Sequence, residues 1–194
     1  MKKLLFIALI SIQYMNAQQP ADSLPSQEIL KRKNEVRTDV ISLVGSSRLN
    51  LTYERFFNKD FSAGVSFGYA DSEKVNDDFD SGYRNTRPKY DVTPFVRYNL
   101  SKSLSSFYFA EVFISANGGD FKKIERRNNG VNDYFVTEKS AYSDFGIGAG
   151  LGYKLYIKDQ FGIEFMVGFG TNLFDKDKSP DTISRVGLSL GYRF

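Results

Sequence analysis

From Leu49 to the C-terminus, bulky apolar residues alternate with small or polar ones at a period of two, the mark of strands with two unlike faces. Phe145, Ile147, Ala149, Leu151, Tyr153 and Leu155 share one face, and Gly146, Gly148, Gly150, Gly152 and Lys154 the other. Phe161 to Phe169, Val186 to Phe194, Leu49 to Tyr53 and Phe61 to Tyr69 follow the same scheme. Val92 to Leu100 alternates less cleanly, and Phe107 to Ala116 is apolar on both faces. There Glu111 sets the parity. A carboxylate facing hydrocarbon is costly, so Tyr108, Ala110, Val112 and Ile114 take the apolar side. Val36 to Val44 supplies the first strand and brings the count to eight. Pro94 falls inside the fourth strand, where a missing ladder donor signals a bulge.

The connections are short at Asn58 to Asp60, Ser101 to Ser103 and Lys158 to Gln160. They are long at Asp71 to Lys89, Gly118 to Ser140 and Asn172 to Thr182, and a tight turn at Gly45 to Ser47 joins the first two strands. Eight strands with this rhythm predict an all-β, antiparallel, up-and-down transmembrane β-barrel over residues 36–194. Strands of ~10 residues, rising ~3.3 Å each and tilted ~45°, span roughly 23 Å, close to the ~25 Å apolar band of such barrels.

A soluble eight-stranded barrel is the rival, with its apolar face turned inward around a ligand. Its other face would then meet water carrying mainly glycine and serine. Those residues suit the crowded interior of a narrow barrel better, and a bulky apolar set projecting outward on every strand is tolerated only in lipid. Composition agrees. A quarter of the residues are charged while 15% are aromatic, and after the N-terminus no apolar run approaches 18 residues, so a helical membrane protein is excluded.

The N-terminus reads as a secretory signal peptide over residues 1–17: Lys2 and Lys3, an apolar core from Leu4 to Ile12, and a small-residue site at Ala17. Cleavage there leaves 177 residues and, with the two lysines gone, lowers the net charge from +3 to +1. That balance offers no footprint for nucleic acid. Residues 18–35, polar with Pro20 and Pro25, read as a flexible periplasmic lead-in. Short periplasmic turns and long outside loops place both chain ends in the periplasm.

Leu49-Asn50-Leu51-Thr52-Tyr53-Glu54-Arg55-Phe56-Phe57-Asn58, the terminal Gly191-Tyr192-Arg193-Phe194 and the Asn16-Ala17-Gln18 cleavage site resemble the small OmpA/OmpX-like outer-membrane barrels of Bacteroidota. The resemblance covers residues 36–194 and implies a barrel-assembly signal at Tyr192 and Phe194, hence the barrel-assembly machinery as a partner during biogenesis. With the chain ending at the last strand, no peptidoglycan-binding domain is expected.

The chain contains no histidine and no cysteine. Histidine is the usual general base at neutral pH, and barrel enzymes that modify lipids or cleave peptides resemble one another in using it. No catalytic, cofactor or metal site is therefore expected; Asp77, Asp78 and Asp80 match no defined calcium loop. On interior parity stand Glu54, Arg97, Glu111, Lys154, Glu164 and Arg193. All but Glu111 should form a layer in the periplasmic third, with Glu111 somewhat above it. Eight strands leave an interior just wide enough for side chains, so this layer reads as a salt-bridged plug, with a gate or ion path as the alternative.

Asn129-Gly130 is a strong hairpin-turn signal, flanked by Phe121, Ile124, Val131, Tyr134, Phe135 and Val136, so strands five and six should continue beyond the membrane as a protruding hairpin. Its free edge could take a partner by strand addition or could simply be solvated. Lys122, Lys123, Arg126 and Arg127 could meet lipopolysaccharide phosphates, or belong to an ordinary solvated loop. The expected protein is a monomeric, non-enzymatic barrel in contact with outer-membrane lipid, contributing to envelope structure or surface interaction. A narrow channel and a lipid-modifying enzyme are the alternatives.

Overall fold

The computed structural model describes residues 27–194 apart from Lys102, Asn129 and Val131; the expected signal peptide lies outside the described residues. Eight strands form a closed barrel in which each pairs antiparallel with its sequence neighbour and the first closes on the last. They are β1 (Asn34–Asp39), β2 (Arg48–Phe56), β3 (Phe61–Ala70), β4 (Thr86–Asn99), β5 (Ser106–Asn128), β6 (Asp133–Ile157), β7 (Phe161–Asn172) and β8 (Thr182–Arg193). Among the described residues three helices accompany them: α1 (Gln27–Lys31) ahead of β1, α2 (Val40–Ser46) between β1 and β2, and α3 (Glu73–Asp80) between β3 and β4.

Alternation along the strands produces two unlike surfaces. On the outer wall Leu51, Phe67, Val96, Val112, Leu151 and Phe165 are each between 48% and 63% exposed. Aromatic residues collect near both ends of that wall. Phe61 meets Tyr98 at 4.9 Å, Tyr108 meets Tyr153 at 4.8 Å and Phe161 meets Tyr192 at 5.4 Å toward the short turns. Toward the long loops Phe145 meets Phe174 at 6.5 Å, with Tyr69 and Phe169 on the same rim.

Inside, glycines stand opposite phenylalanines. A methyl group at Gly148 or Gly152 would overlap the rings of Phe113 and Phe109, and one at Gly64 would meet Phe95. The glycine face of β3 and β6 is thus the space that the rings of β4 and β5 occupy.

Four local expectations change. The first strand ends at Asp39, and Val40–Ser46 is helical instead of extended, so the connection is not a tight turn at Gly45 to Ser47. The Asp39 side chain caps this helix, accepting hydrogen bonds from the Ile41 N–H at 3.0 Å and the Ser42 N–H at 3.3 Å. A good N-cap satisfies donors that an extended chain would need a neighbouring strand for, and here it outweighs the β-branched residues Val40, Ile41 and Val44. Ile41, Leu43 and Val44 are exposed in this helix, so the period of two ends with β1.

Pro94 is not a bulge. It faces outward opposite Val65, and pairing with β5 runs from Val92↔Ala116 to Phe95↔Phe113 without a change of register. The irregularity lies between Pro88 and Tyr90 instead. Proline lacks one ladder donor, and a single missing donor can be left out without shifting the strands on either side.

Within the stretch read as a lead-in, Gln27–Lys31 forms α1 and Ile29 is 1% exposed. Within the loop read from Asp71 to Lys89, Glu73–Asp80 forms α3 and β4 begins at Thr86. Strands β5 and β6 pair continuously out to Asn128↔Asp133, a hairpin that rises beyond the other strands. Gly130 turns it at φ +89°, with its N–H donating to Asn128 Oδ1 at 2.6 Å; Asn129, the other expected turn residue, lies outside the described residues.

Candidate functional site

Interior parity carries ionisable residues from all parts of the chain into one lumen. Arg97 on β4 is 2% exposed and lies at its centre. Its Nε donates to Glu111 at 2.7 Å, its Nη1 to Glu164 at 2.7 Å and to Glu54 at 3.1 Å, and its Nη2 to the second Glu164 oxygen at 2.9 Å. Lys154 Nζ stands 2.9 Å from each of Glu35, Glu54 and Glu164. Arg37 pairs with Glu35 at 3.2 Å, with Glu164 at 3.3 Å and with Glu54. Arg185 pairs with Glu111, and Ser62 and Tyr156 donate hydroxyl hydrogens to Glu54 and Glu35.

Each strand supplies a member: Glu35 and Arg37 from β1, Glu54 from β2, Ser62 from β3, Arg97 from β4, Glu111 from β5, Lys154 from β6, Glu164 from β7 and Arg185 from β8. Four carboxylates face four cations, so the cluster is neutral. Buried charge survives only when paired in this way. Aromatic faces add to the cations' solvation: the Arg97 guanidinium lies 4.1 Å from the Phe109 centroid and that of Arg185 4.9 Å from Phe113.

Among the described residues, Glu35, Glu54 and Glu164 form the one acidic group close enough to hold a metal ion. Lys154 already occupies the point they share, as a built-in cation.

Of the six residues singled out by parity, Glu54, Arg97, Glu111, Lys154 and Glu164 meet directly, with Glu111 in the same network through Arg97. Arg193 stands apart, toward the short turns, where its Nε donates to the Arg32 carbonyl at 2.8 Å and its guanidinium lies 3.7 Å from the Phe56 centroid. Glu35, Arg37 and Arg185 were not singled out, although outward-facing Val36 and Val186 already imply that these neighbours point inward. Tyr192 and Phe194 lie on the outer wall, 44% and 52% exposed, with ring centroids 6.4 Å apart.

Toward the short turns the network rests on an apolar layer of Ile29, Phe56, Phe107, Phe109 and Tyr156. Ile29 of α1 is thus inserted into the barrel end. Toward the long loops the lumen opens instead into a polar cup of about 290 Å³. Arg37, Arg97, Glu164 and Arg185 line its floor side; Thr52, Ser66, Thr93 and Ser115 line its walls.

The hairpin cations all have partners. Lys122 is buried against the Phe79 and Asp80 carbonyls, Lys123 pairs with Glu125 at 2.9 Å, Arg127 with Glu125 at 3.7 Å and Arg126 with Asp133. Asp80 of α3 pairs with Lys139 of the hairpin at 3.0 Å.

A family model described as "Protein of unknown function (DUF3575)" matches residues 4–187. No curated protein matches the chain. Among solved structures, the N-terminal β-barrel domain of Pseudomonas aeruginosa OprF is similar with a TM-score of 0.53 at 11% identity, covering 84% of this chain and 96% of that one. Neisserial surface protein A (NspA) is similar with a TM-score of 0.51 at 10% identity, covering 84% and 94%. At such identities the likeness is one of fold.

Proposed function

The chain belongs to the DUF3575 family, whose description assigns no activity, and from that premise we propose that it is an integral outer-membrane β-barrel with a closed lumen and no catalytic role. One observation carries the reading: the apolar wall runs outward all round a sheet without edges. In water that wall would be an exposed apolar patch far larger than monomers tolerate. In lipid, closure leaves no open row of backbone donors and acceptors, and the aromatic residues at both rims match the two interfaces of a bilayer.

Short turns on one rim and long connections on the other support an orientation with both termini in the periplasm and the hairpin outside. The ion-pair network and the apolar layer beneath it support a plugged lumen, in preference to a narrow channel. The absence of histidine from the sequence speaks against lipid-modifying chemistry. Work would then be done at the outside rim, in envelope structure or contact with other surfaces. Lys123, Arg126 and Arg127 could exchange their exposed ion pairs, worth little in water, for lipopolysaccharide phosphates. Tyr192 and Phe194 would serve the barrel-assembly machinery, and the expected signal peptide would bring the chain to it.

Trypsin applied to intact cells tests location and orientation together. It should cut the hairpin between Lys123 and Arg127 and leave a membrane-embedded fragment that only detergent extracts. Recovery of the intact protein in the soluble fraction would overturn the proposal.

A further inference from the structure

The cup of about 290 Å³ above the ion-pair network is not explained by closing the lumen. The geometry points to a binding site there for an uncharged, polyhydroxylated ligand of monosaccharide size, anchored in part by the Tyr142 hydroxyl.

Tyr142 is 3% exposed and lines the cup, and its hydroxyl has no hydrogen-bond partner among the described residues. Buried hydroxyls are normally paired, so an orphan facing a cavity marks where something else supplies the partner. The surrounding walls speak the same chemistry. Thr52 bonds Ser66 at 2.9 Å, Thr93 bonds Ser115 at 3.4 Å and the Asn117 amide bonds Asn172 at 2.8 Å. Each hydroxyl or amide still has donor or acceptor capacity beyond these bonds. Met166, Pro180 and Ile183 add apolar patches, as the C–H faces of a sugar ring require.

Charge argues for a neutral ligand. Arg48 pairs with Asp91, Arg185 with Glu111, and Asp39 accepts from the Ile41 and Ser42 N–H groups of α2. The cup therefore presents few charges without a counter-charge or donor, and little net field to draw an ion. A wholly apolar ligand would strip water from these hydroxyls and amides and give nothing back. At roughly 30 Å³ per water, the space equals about ten waters, the size of a ring sugar with about a dozen non-hydrogen atoms.

The test uses the full chain in a detergent without a sugar headgroup, titrated by calorimetry with glucose, galactose, mannose and N-acetylglucosamine, and with glucuronate and glucosamine as charged controls. At least one neutral sugar should saturate a single site, more tightly than either charged control. Tyr142→Phe should weaken it about five- to tenfold while thermal stability stays as in the parent, because the hydroxyl has no structural partner to lose. Ser115→Leu, which fills the cup, should abolish binding.

An immobilised oligosaccharide ending in the best sugar identifies the source: retention means the end of a glycan, and no retention means the free sugar. Silence across the neutral panel, tighter binding of a charged control, or unchanged affinity in Tyr142→Phe would each overturn the inference. Those results would leave the membrane reading standing if the chain still required detergent.

Discussion

Lys154 shows how much one side chain carries. Its ammonium is the shared counter-ion of Glu35, Glu54 and Glu164 at 2.9 Å from each. Replacing it by methionine keeps most of the volume and leaves three carboxylates facing one another with Arg37 and Arg97 alone to balance them. Removing one partner of a buried cluster costs roughly 3–5 kcal/mol, because the other charges stay buried. Lys154→Met should therefore lose about that much in urea unfolding from lipid vesicles, and adding Glu164→Gln should recover part of it. A loss below about 1 kcal/mol would mean that water screens the cluster. Parity made Lys154 and its partner Glu164 legible, since both sit among glycines on alternating strands. It could not reveal that one ammonium would stand equidistant from three carboxylates on three strands, β1, β2 and β7, because that depends on the closed circumference.

At the scale of elements, the protruding hairpin and α3 are joined by buried Lys122 on the Phe79 and Asp80 carbonyls and by the exposed Lys139–Asp80 ion pair. The hydrogen bond from Lys139 and its charge hold the Asp80 carboxyl below the ordinary value of 3.8. Burial pushes Asp120 up, yet the hydrogen bonds from Lys89 and Arg87 outweigh it and leave Asp120 below 3.8 as well. Folded values below unfolded ones mean that these contacts stabilise fully above the ordinary value and are lost as pH falls through the folded values. Hydrogen exchange across Glu73–Asp80, corrected for intrinsic rates, should thus lose protection below pH 3.8 while the barrel strands keep theirs. Lys139→Met should remove most of that pH dependence. Element boundaries were legible where two faces differ and failed where a cap intervened. Asp39 is a polar residue on interior parity in either reading, and only its side chain's reach to the Ile41 and Ser42 N–H groups ends β1 and starts α2. Pro94 failed in the opposite sense: it looked like a disruption, and a single absent donor proved tolerable with the same register on either side of it.

For the whole molecule, closure brings every strand to the lumen, and in the proposed plug the network and the apolar layer around Ile29 together block a polar path toward the short turns. Purified protein in a planar bilayer should show no stable unitary openings at neutral pH. Ile29→Ser, which puts a small polar group into the layer beneath the network, should leave the record unchanged, because the ion pairs above still fill the cross-section. Steady openings from the parent protein would refute the plug. The sequence by itself determined strand number, pairing order and which residues face in or out, because a period of two and the lengths of the connections are local properties of the chain. Only the tertiary structure decided which charges meet, that Arg193 stands below them on Phe56, that Ile29 packs against the aromatic rings at one end and that a polar cup remains at the other. Those outcomes depend on register and shear around a closed ring, where a shift of one residue on any strand would repartner every side chain within.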